Sequence, residues 1–394
     1  MSSYTDSMII FIRELKDKGN TWDEIAVKFN KKFGEEERKT ANALRKIYSR
    51  YSDIDFTDET VINSIQSNET SKKKSSILAK ENRALVNYVS GRKNLLEEIR
   101  EMLSSRSFTQ YKVPIYKPDK SKRNMTMETL LSDLHDGKRT PTFNNRILKE
   151  RLQKYTSVII GEINRYEKIY NVERIVAPIL GDLIENSYMH GIESLAGCEY
   201  QNPEQIRHVT QLLFQDFLIP LSLTGRQIVV PCLTGNHSKY SFKDTYIDPG
   251  KNNLSWIIYN MLEMLCKASK LTNIEFIIPE GIYCVYEIYG DPILYEHKVD
   301  SYQQKNVEAH IHDRSKQVKK MIKFARFGHF HESLSYGRGR IIFNASFSGL
   351  DSYSEIKGYS SEPSQTINYY IETDTRCDSY YHSFIVNLNK YEKV

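Results

Sequence analysis

Leu130–Gly137 reads LLSDLHDG, an apolar run followed at once by Asp133, His135 and a glycine. The apolar residues predict a strand over Thr129–Leu131, and the polar pair falls just beyond its end. The same arrangement recurs four times downstream. Pro178–Asn186 reads PILGDLIEN at the end of the run Ile175–Leu180, and Pro231–Ser238 reads PCLTGNHS at the end of Ile228–Leu233. Gly290–His297 reads GDPILYEH around Ile293–Tyr295, and Phe327–Ser333 reads FGHFHES after Ile322–Phe327. Each time an Asp, Asn or His stands at or just past the carboxyl end of a predicted strand. In α/β enzymes that is where side chains project into the ligand crevice. Helical spacing over 144–170, 203–217, 255–268 and 307–324 fills the intervals, so the pattern predicts layered α/β packing. The tail, rich in Tyr, Ile and Phe, predicts further strands that close a second sheet.

Carboxylates, imidazoles and one asparagine oxygen are ligand types that suit a pair of divalent transition metals. One Asp-x-His or one His alone carries little weight; five motifs in order carry much. Of the ten histidines, five (135, 237, 297, 329, 331) fall in the motifs. His190, His208, His310, His312 and His382 do not. His310-x-His312 lies in a charged stretch that predicts a helix and reads as solvent-facing. Gly337-Arg338-Gly339-Arg340 reads as a turn whose arginines lie near the last motif, within reach of substrate phosphates.

The five motifs, in this order, resemble those of the calcineurin-like metallophosphoesterase superfamily. The resemblance implies an αββα two-sheet sandwich over 110–394. It implies that Asp133, His135 and His331 hold one metal, that Asn236, His297 and His329 hold the other, and that Asp182 bridges them. It makes His237 a general acid or charge stabiliser at the phosphoryl group. The implied cofactors are two divalent ions, Mn²⁺ first, with Fe, Zn, Ni or Mg as alternatives. Gly-x-x-Ile-Leu-x-x-His before His297 is similar to SbcD-type DNA nucleases. Three positions depart from the family pattern: Ser238 where Asp or Glu usually follows Gly-Asn-His, Lys298 where glycine is frequent, and Glu185 in place of a shorter Asp. None removes a ligand. Ser238 would leave His237 less firmly held, which keeps a non-catalytic, regulatory reading open.

The amino-terminal residues 1–52 predict a small all-α module. Met8, Phe11, Ile12 and Leu15 recur at helical spacing, and Gly19-Asn20 ends that helix. Thr21 and Glu24 form a capping box before Trp22, Ile25, Ala26 and Phe29. A third helix over 35–51 turns Leu44 inward and presents Arg38, Lys39, Asn42, Arg45, Lys46 and Arg50 outward. The phrase resembles helix-turn-helix domains, and a basic third helix suits phosphate and base-edge contacts. A protein-binding bundle with a solvated basic face is the alternative.

Residues 53–75 are polar and predict a flexible linker, and 76–109 a basic helical connector. The helix over 76–106 could also bring two copies together. Charge is concentrated here: residues 72–125 hold 14 Lys/Arg against 5 Asp/Glu, including Lys72, Lys73 and Lys74, whereas 1–71 and 126–394 each carry −2. Such a segment reads as a polyanion contact, with DNA the expected partner. Five scattered cysteines without C-x-x-C argue for reduced thiols. No signal peptide and no apolar stretch near 18 residues are present, so a cytoplasmic, membrane-free chain is expected. The Lys-, Tyr- and Ile-rich, Gly-poor composition fits an AT-rich bacterial or phage genome. The leading expectation is a Mn²⁺-dependent DNA nuclease. A phosphomonoesterase or cyclic-nucleotide phosphodiesterase is the alternative.

Overall fold

The computed structural model describes residues 6–34, 39–51, 108–187, 196–240, 248–349, 362–373 and 379–389. The 53–75 linker, the 76–106 helix, Arg38, Lys72, Lys73, Lys74 and His190 lie outside the described residues. The chain divides into two compact units, Met1–Asn94 and Leu95–Val394.

Three helices make up the described part of the first unit: α1 (Asp6–Asp17), α2 (Trp22–Phe33) and α3 (Ala41–Tyr51). The predicted capping box is present: Glu24 N–H donates to Thr21 Oγ1, and Thr21 N–H donates to Glu24 Oε2 at 2.8 Å. Ile12, Ile25, Phe29 and Leu44 are fully buried between the helices, with Trp22 and Tyr48 in edge-to-face contact beside them. Asn30 fixes the α2–α3 connection by bonding both the N–H and the carbonyl of Lys39. Asn42, Arg45, Lys46 and Arg50 share one exposed face of α3, and Lys39 is half-buried at its start.

Two sheets and their helices form the second unit. The first sheet has the order β11-β10-β1-β2-β3-β4, from β1 (Asn124–Thr129), β2 (Asn171–Val176), β3 (Gln227–Pro231), β4 (Ile274–Ile277), β10 (Ser364–Ile371) and β11 (Tyr380–Asn387). β1 to β4 run parallel, and β10 and β11 are antiparallel additions. The second sheet has the order β5-β6-β7-β9-β8, from β5 (Tyr283–Ile288), β6 (Asp291–Glu296), β7 (Phe324–Phe327), β8 (Leu334–Tyr336) and β9 (Ile341–Phe343). Helices α4 (Asn145–Tyr166), α5 (Asn202–Leu213) and α6 (Leu254–Ala268) pack their apolar faces on the outer side of the first sheet. Helix α7 (Gln304–Val318) covers the second. A separate apolar core, including Leu130, Val176, Ile293, Tyr295, Phe324 and Tyr370, lies between the sheets. The unit is therefore an αββα sandwich.

Glu128 and Arg326 join the two sheets across this inner layer, and both are fully buried. Arg326 Nε donates to Glu128 Oε2 at 2.8 Å. Tyr295, Asn368 and Tyr370 complete the carboxylate's shell. Arg326 Nη1 spends its hydrogens on the carbonyls of Ala325, Gly339 and Arg340.

Three sequence expectations need correction. Only the start of the tail, Ile341–Phe343, joins the second sheet. It closes that sheet as β9 together with β8, whereas β10 and β11 extend the first, because Ser364–Ile371 is buried on both faces beside β1 and fits a central strand. The helix expected over 307–324 ends at Val318, where Lys319 takes a left-handed backbone and frees Phe324–Phe327 to enter the sheet. Arg338 and Arg340 lie at the far end from the last motif. β9 runs parallel to β7, so the turn before β9 stands beside the start of β7, whereas His329 and His331 follow its end.

Candidate metal centre

The carboxyl ends of β1, β2 and β3 in one sheet and of β6 and β7 in the other meet at a single rim. There the five motif loops place Asp133, His135, Asp182, Asn236, His297, His329 and His331 together. Among the described residues three sets of ligand-type atoms form, each with its members within 4.8 Å of one another: Asp133, His135 and His331; Asp182, His297 and His329; and His135, Glu185 and His237, which shares His135 with the first. Asn236 joins the second set, its Oδ1 lying 3.0 Å from His297 Nε2.

The backbone is bent to make this possible. Asp133 (φ 55°), His135 (φ 49°), Asp182 (φ 49°), His329 (φ 74°) and His331 (φ 59°) all adopt left-handed conformations. For a non-glycine residue that conformation costs on the order of 1 kcal/mol. Such strain clusters at functional sites, where the surroundings impose it. Gly235 allows the β2 and β3 loops to touch: a Cβ there would overlap the Asp182 carboxylate and its backbone nitrogen.

Electrostatics gives the first two sets a common logic. Asp133 and Asp182 are buried, which by itself would raise their pKa values, yet the surrounding histidines hold both below the usual carboxylate range. Backbone N–H groups add to this, from His329 to Asp133 and from His237 to Asp182. Burial lowers His135 to about 4 despite the carboxylate beside it, so its ring is neutral. Its Nδ1 lies 2.7 Å from Glu185 Oε2. Burial would raise Glu185, but Lys138, His135 and His237 outweigh it and lower the acid to about 2. Glu185 is thus an acceptor, the His135 proton sits on Nδ1, and the Nε2 lone pair faces His331 Nε2 at 3.0 Å. His297 repeats the pattern. Its Nδ1 donates to the Leu180 carbonyl at 2.7 Å, and Nε2 faces Asn236 Oδ1 and, at 3.2 Å, Asp182 Oδ2. Burial opposes charge on His297, but Asp182 and Asp133 overcome it and carry the imidazole up to about 9. Far ring nitrogens anchored to acceptors, as in His135 and His297, are what metal-ligating histidines show, and a cation at His297 would take the place of its Nε2 proton. The donor set fits two divalent cations.

His237 stands beside this cluster. Its ring is edge-to-face with His135, and its Nδ1 is 2.9 Å from the Glu185 carbonyl. The Glu185 carboxylate lies 3.6 Å from the same nitrogen. Ser238 is expected to leave His237 less firmly held, but Glu185 takes up the support instead. Ser238 is buried, its Oγ accepting from Ser255 at 2.7 Å, and Glu185 is the acid that faces His237. Sequence reasoning misses Asp136 and sets His208 outside the motif pattern. Asp136 is fully buried, and burial raises it to about 6 although His208 pairs with it. Adjacency of Asp136 to His135 is the only signal the sequence offers, and for His208 there is none. His310 donates to Glu296 from α7 at 2.7 Å, and His312 is exposed.

Glu185 orients the His135 ring and is not among the seven residues expected to be ligands. Glu185→Ala is therefore expected to weaken metal binding about 10–100-fold while leaving the fold intact. Titration of the metal-stripped protein with Mn²⁺ checks this, and unchanged affinity would sink the role.

No protein-family profile matches this sequence, and no curated protein does. Among solved structures, the chain is similar to an archaeal phosphodiesterase at 13% identity, covering 66% of this chain and 99% of that one, with a TM-score of 0.30. It is also similar to a predicted phosphoesterase of Streptococcus pneumoniae, at 12% identity over 67% and 98% of the chains with a TM-score of 0.27. A zinc complex of Vps29 from Entamoeba histolytica matches at 13% identity over 67% and 99%, with a TM-score of 0.26. At these scores the likenesses carry no weight for activity, and the site has to be read from its own chemistry.

Proposed function

We propose that this chain is a two-metal phosphoesterase that hydrolyses DNA phosphodiester bonds and is brought to DNA by its amino-terminal helices. The observation that supports the first half is the pair of buried carboxylate–imidazole sets, with Asp182 of one set linked by its carboxylate to the His237 backbone. Asp133, His135 and His331 would hold one divalent ion and Asn236, His297 and His329 the other, with Asp182 shared. Two such ions supply charge stabilisation for a phosphoryl group and a water of lowered pKa.

The residues of the chain supply the rest. Glu185 holds both rings, its carboxylate at His135 Nδ1 and its backbone carbonyl at His237 Nδ1, so one residue couples a proposed ligand to the proton donor. In hydrolysis the oxygen of water bonds to phosphorus and gives up a proton to solvent, the bond from phosphorus to the leaving oxygen breaks, and that oxygen takes a proton. As imidazolium, His237 is placed to give this proton from Nε2, because Nδ1 is committed to the Glu185 carbonyl. His237→Ala should keep the metals and lose on the order of 10²–10⁴-fold in turnover on DNA. On a nitrophenyl diester the loss should shrink, since that leaving group departs without a proton. Equal losses on both substrates would leave His237 a charge-stabilising role instead. The whole reading is tested by giving the Mn²⁺-loaded protein single-stranded DNA, duplex DNA, bis-nitrophenyl phosphate, mononitrophenyl phosphate and cyclic nucleotides. Hydrolysis confined to the last two would replace a nuclease by a phosphomonoesterase or cyclic-nucleotide phosphodiesterase.

The DNA half rests on the exposed face of α3, where Asn42, Arg45, Lys46 and Arg50 stand together. The surplus of +9 over residues 72–125 adds to it. In the full-length protein, Arg45→Glu with Lys46→Glu should weaken duplex binding. The slope of log K against log salt should fall by roughly 2, one for each phosphate that the two side chains neutralise. Hydrolysis of a small diester should not change. A salt slope equal to that of the wild type would remove α3 from the interface.

A further inference from the structure

The loops after β1 and β2 run side by side past the ends of their strands, joined by backbone hydrogen bonds. Asp133 N–H donates to the Gly181 carbonyl at 3.1 Å, and His135 N–H to that of Asp182 at 3.0 Å. Asp136 ends this ladder: its N–H donates to the Leu183 carbonyl and its own carbonyl accepts from Glu185, each at 2.9 Å. Together the two loops carry Asp133, His135, Asp182 and Glu185 into the centre. Left-handed backbone at Asp133, His135, Asp182 and Asn186 (φ 64°) makes the arrangement strained. Such conformations persist only where the surroundings impose them. Two residues of α5, neither of them in a ligand set, do so here.

Gln205 and His208 stand one turn apart on α5, so they share a face, and each takes hold of one loop. Gln205 is fully buried and accepts the Asn186 N–H at 3.0 Å. Its amide nitrogen donates to the Tyr200 carbonyl at 2.8 Å, which fixes the direction of the oxygen. It also presses on Gly137, where a Cβ would come within 2.6 Å of the side chain. His208 pairs through Nδ1 with Asp136 Oδ2, and its ring lies edge-to-face on Tyr200. Asp136 is fully buried, and its Oδ1 has no hydrogen-bond partner among the described residues. The carboxylate is therefore satisfied through His208 alone, and losing that partner would leave it stranded inside the fold. Since Asp136 follows His135 directly, this side chain reaches a proposed ligand through one peptide bond.

We infer that His208 is a positioning residue for the metal centre. Through Asp136 it holds the loop of Asp133 and His135 against the loop of Asp182 and Glu185, so the two proposed cation sites keep their spacing. The inference rests on the two-metal reading, and the measurements separate the two. In the metal-stripped full-length protein, His208→Ala should weaken Mn²⁺ binding by about 10–100-fold, the range for a lost outer-shell partner. Loaded with Mn²⁺, that variant should give the electron paramagnetic resonance of isolated ions, where the wild type gives that of a spin-coupled pair. His208→Asn sets an amide N–H near the position of Nδ1 and should restore both. Thermal unfolding of the metal-free proteins provides the comparison for stability. A lower midpoint in His208→Ala with unchanged Mn²⁺ affinity would make the pair a stabilising contact and overturn the inference. Hydrogen exchange of the metal-free protein reads the loops without any cation. The amides of His135, Asp136 and Glu185 should exchange faster in His208→Ala and regain protection in His208→Asn. Equal exchange in wild type and His208→Ala would also overturn it. If the wild type takes up no Mn²⁺, the two-metal reading falls, and the exchange comparison still decides whether His208 holds the loops.

Discussion

Asp182→Ala is expected to abolish paired metal binding and to reduce turnover further than any other single change in the centre. Asp182 is buried among His297, His237 and His135, and its carboxylate also accepts the His237 backbone N–H at 2.9 Å. Its loss would leave both cations under-neutralised and would release the loop that carries Asn236 and His237. Removing an outer-shell partner typically costs about 10–100-fold in metal affinity. A shared ligand should exceed that, and turnover should fall beyond the 10²–10⁴-fold range of a lost proton donor. Elemental analysis after desalting, paired with diester hydrolysis, checks both. Two tightly held metals per chain in the variant would refute the assignment of Asp182. Gly235→Ala provides a second approach to the same loop, because its methyl group would collide with the Asp182 carboxylate and backbone nitrogen. It should reproduce much of the metal loss without removing a ligand.

The largest effect on stability is expected at Glu128. With Glu128→Ala the fully buried Arg326 loses its carboxylate, and Tyr295, Asn368 and Tyr370 lose their common acceptor. Burial by itself would lower the Arg326 pKa, and Glu128 more than reverses this, so the guanidinium stays charged where water does not reach. Removing one partner of a buried pair costs about 3–5 kcal/mol, because the other charge is left uncompensated. Urea unfolding should show a lower midpoint at an unchanged slope. A loss below about 1 kcal/mol would mean that water enters between the sheets to solvate Arg326. The location of the pair explains why its loss should be felt at the site. β1 leads directly to Asp133 and β7 to His329, so Glu128 and Arg326 fix the separation of the two strands that carry ligands into the centre.

The chain order of the ligands is legible because each strand end announces itself. An apolar run that stops at Asp-x-His, Gly-Asp, Gly-Asn-His, a lone His or Gly-His-x-His is a local pattern, and Asp133, His135, Asp182, Asn236, His297, His329 and His331 all come to one rim. The capping box at Thr21 and the apolar spacing of α1 to α3 are equally local, and the structure keeps them. Arg38 and Lys72 to Lys74, which belong to the same DNA-binding expectation, lie outside the described residues.

What escapes the sequence depends on partners distant along the chain. Nothing in Ser364–Ile371 tells which sheet it joins, because a strand buried on both faces reads alike in either. Glu185 is an ordinary acid until β2 sets it 2.7 Å from His135, and Ser238 reads as a defect until Glu185 is found facing His237 in its place. His208 gains meaning only through Asp136, 72 residues earlier. Glu128 and Arg326, separated by 198 residues, are each a charge in an apolar strand, and only the stacking of two sheets makes them partners. Which residues reach the rim follows from local pattern. The supports that orient the ligands follow from which sheet edges meet, and that is decided by long-range packing.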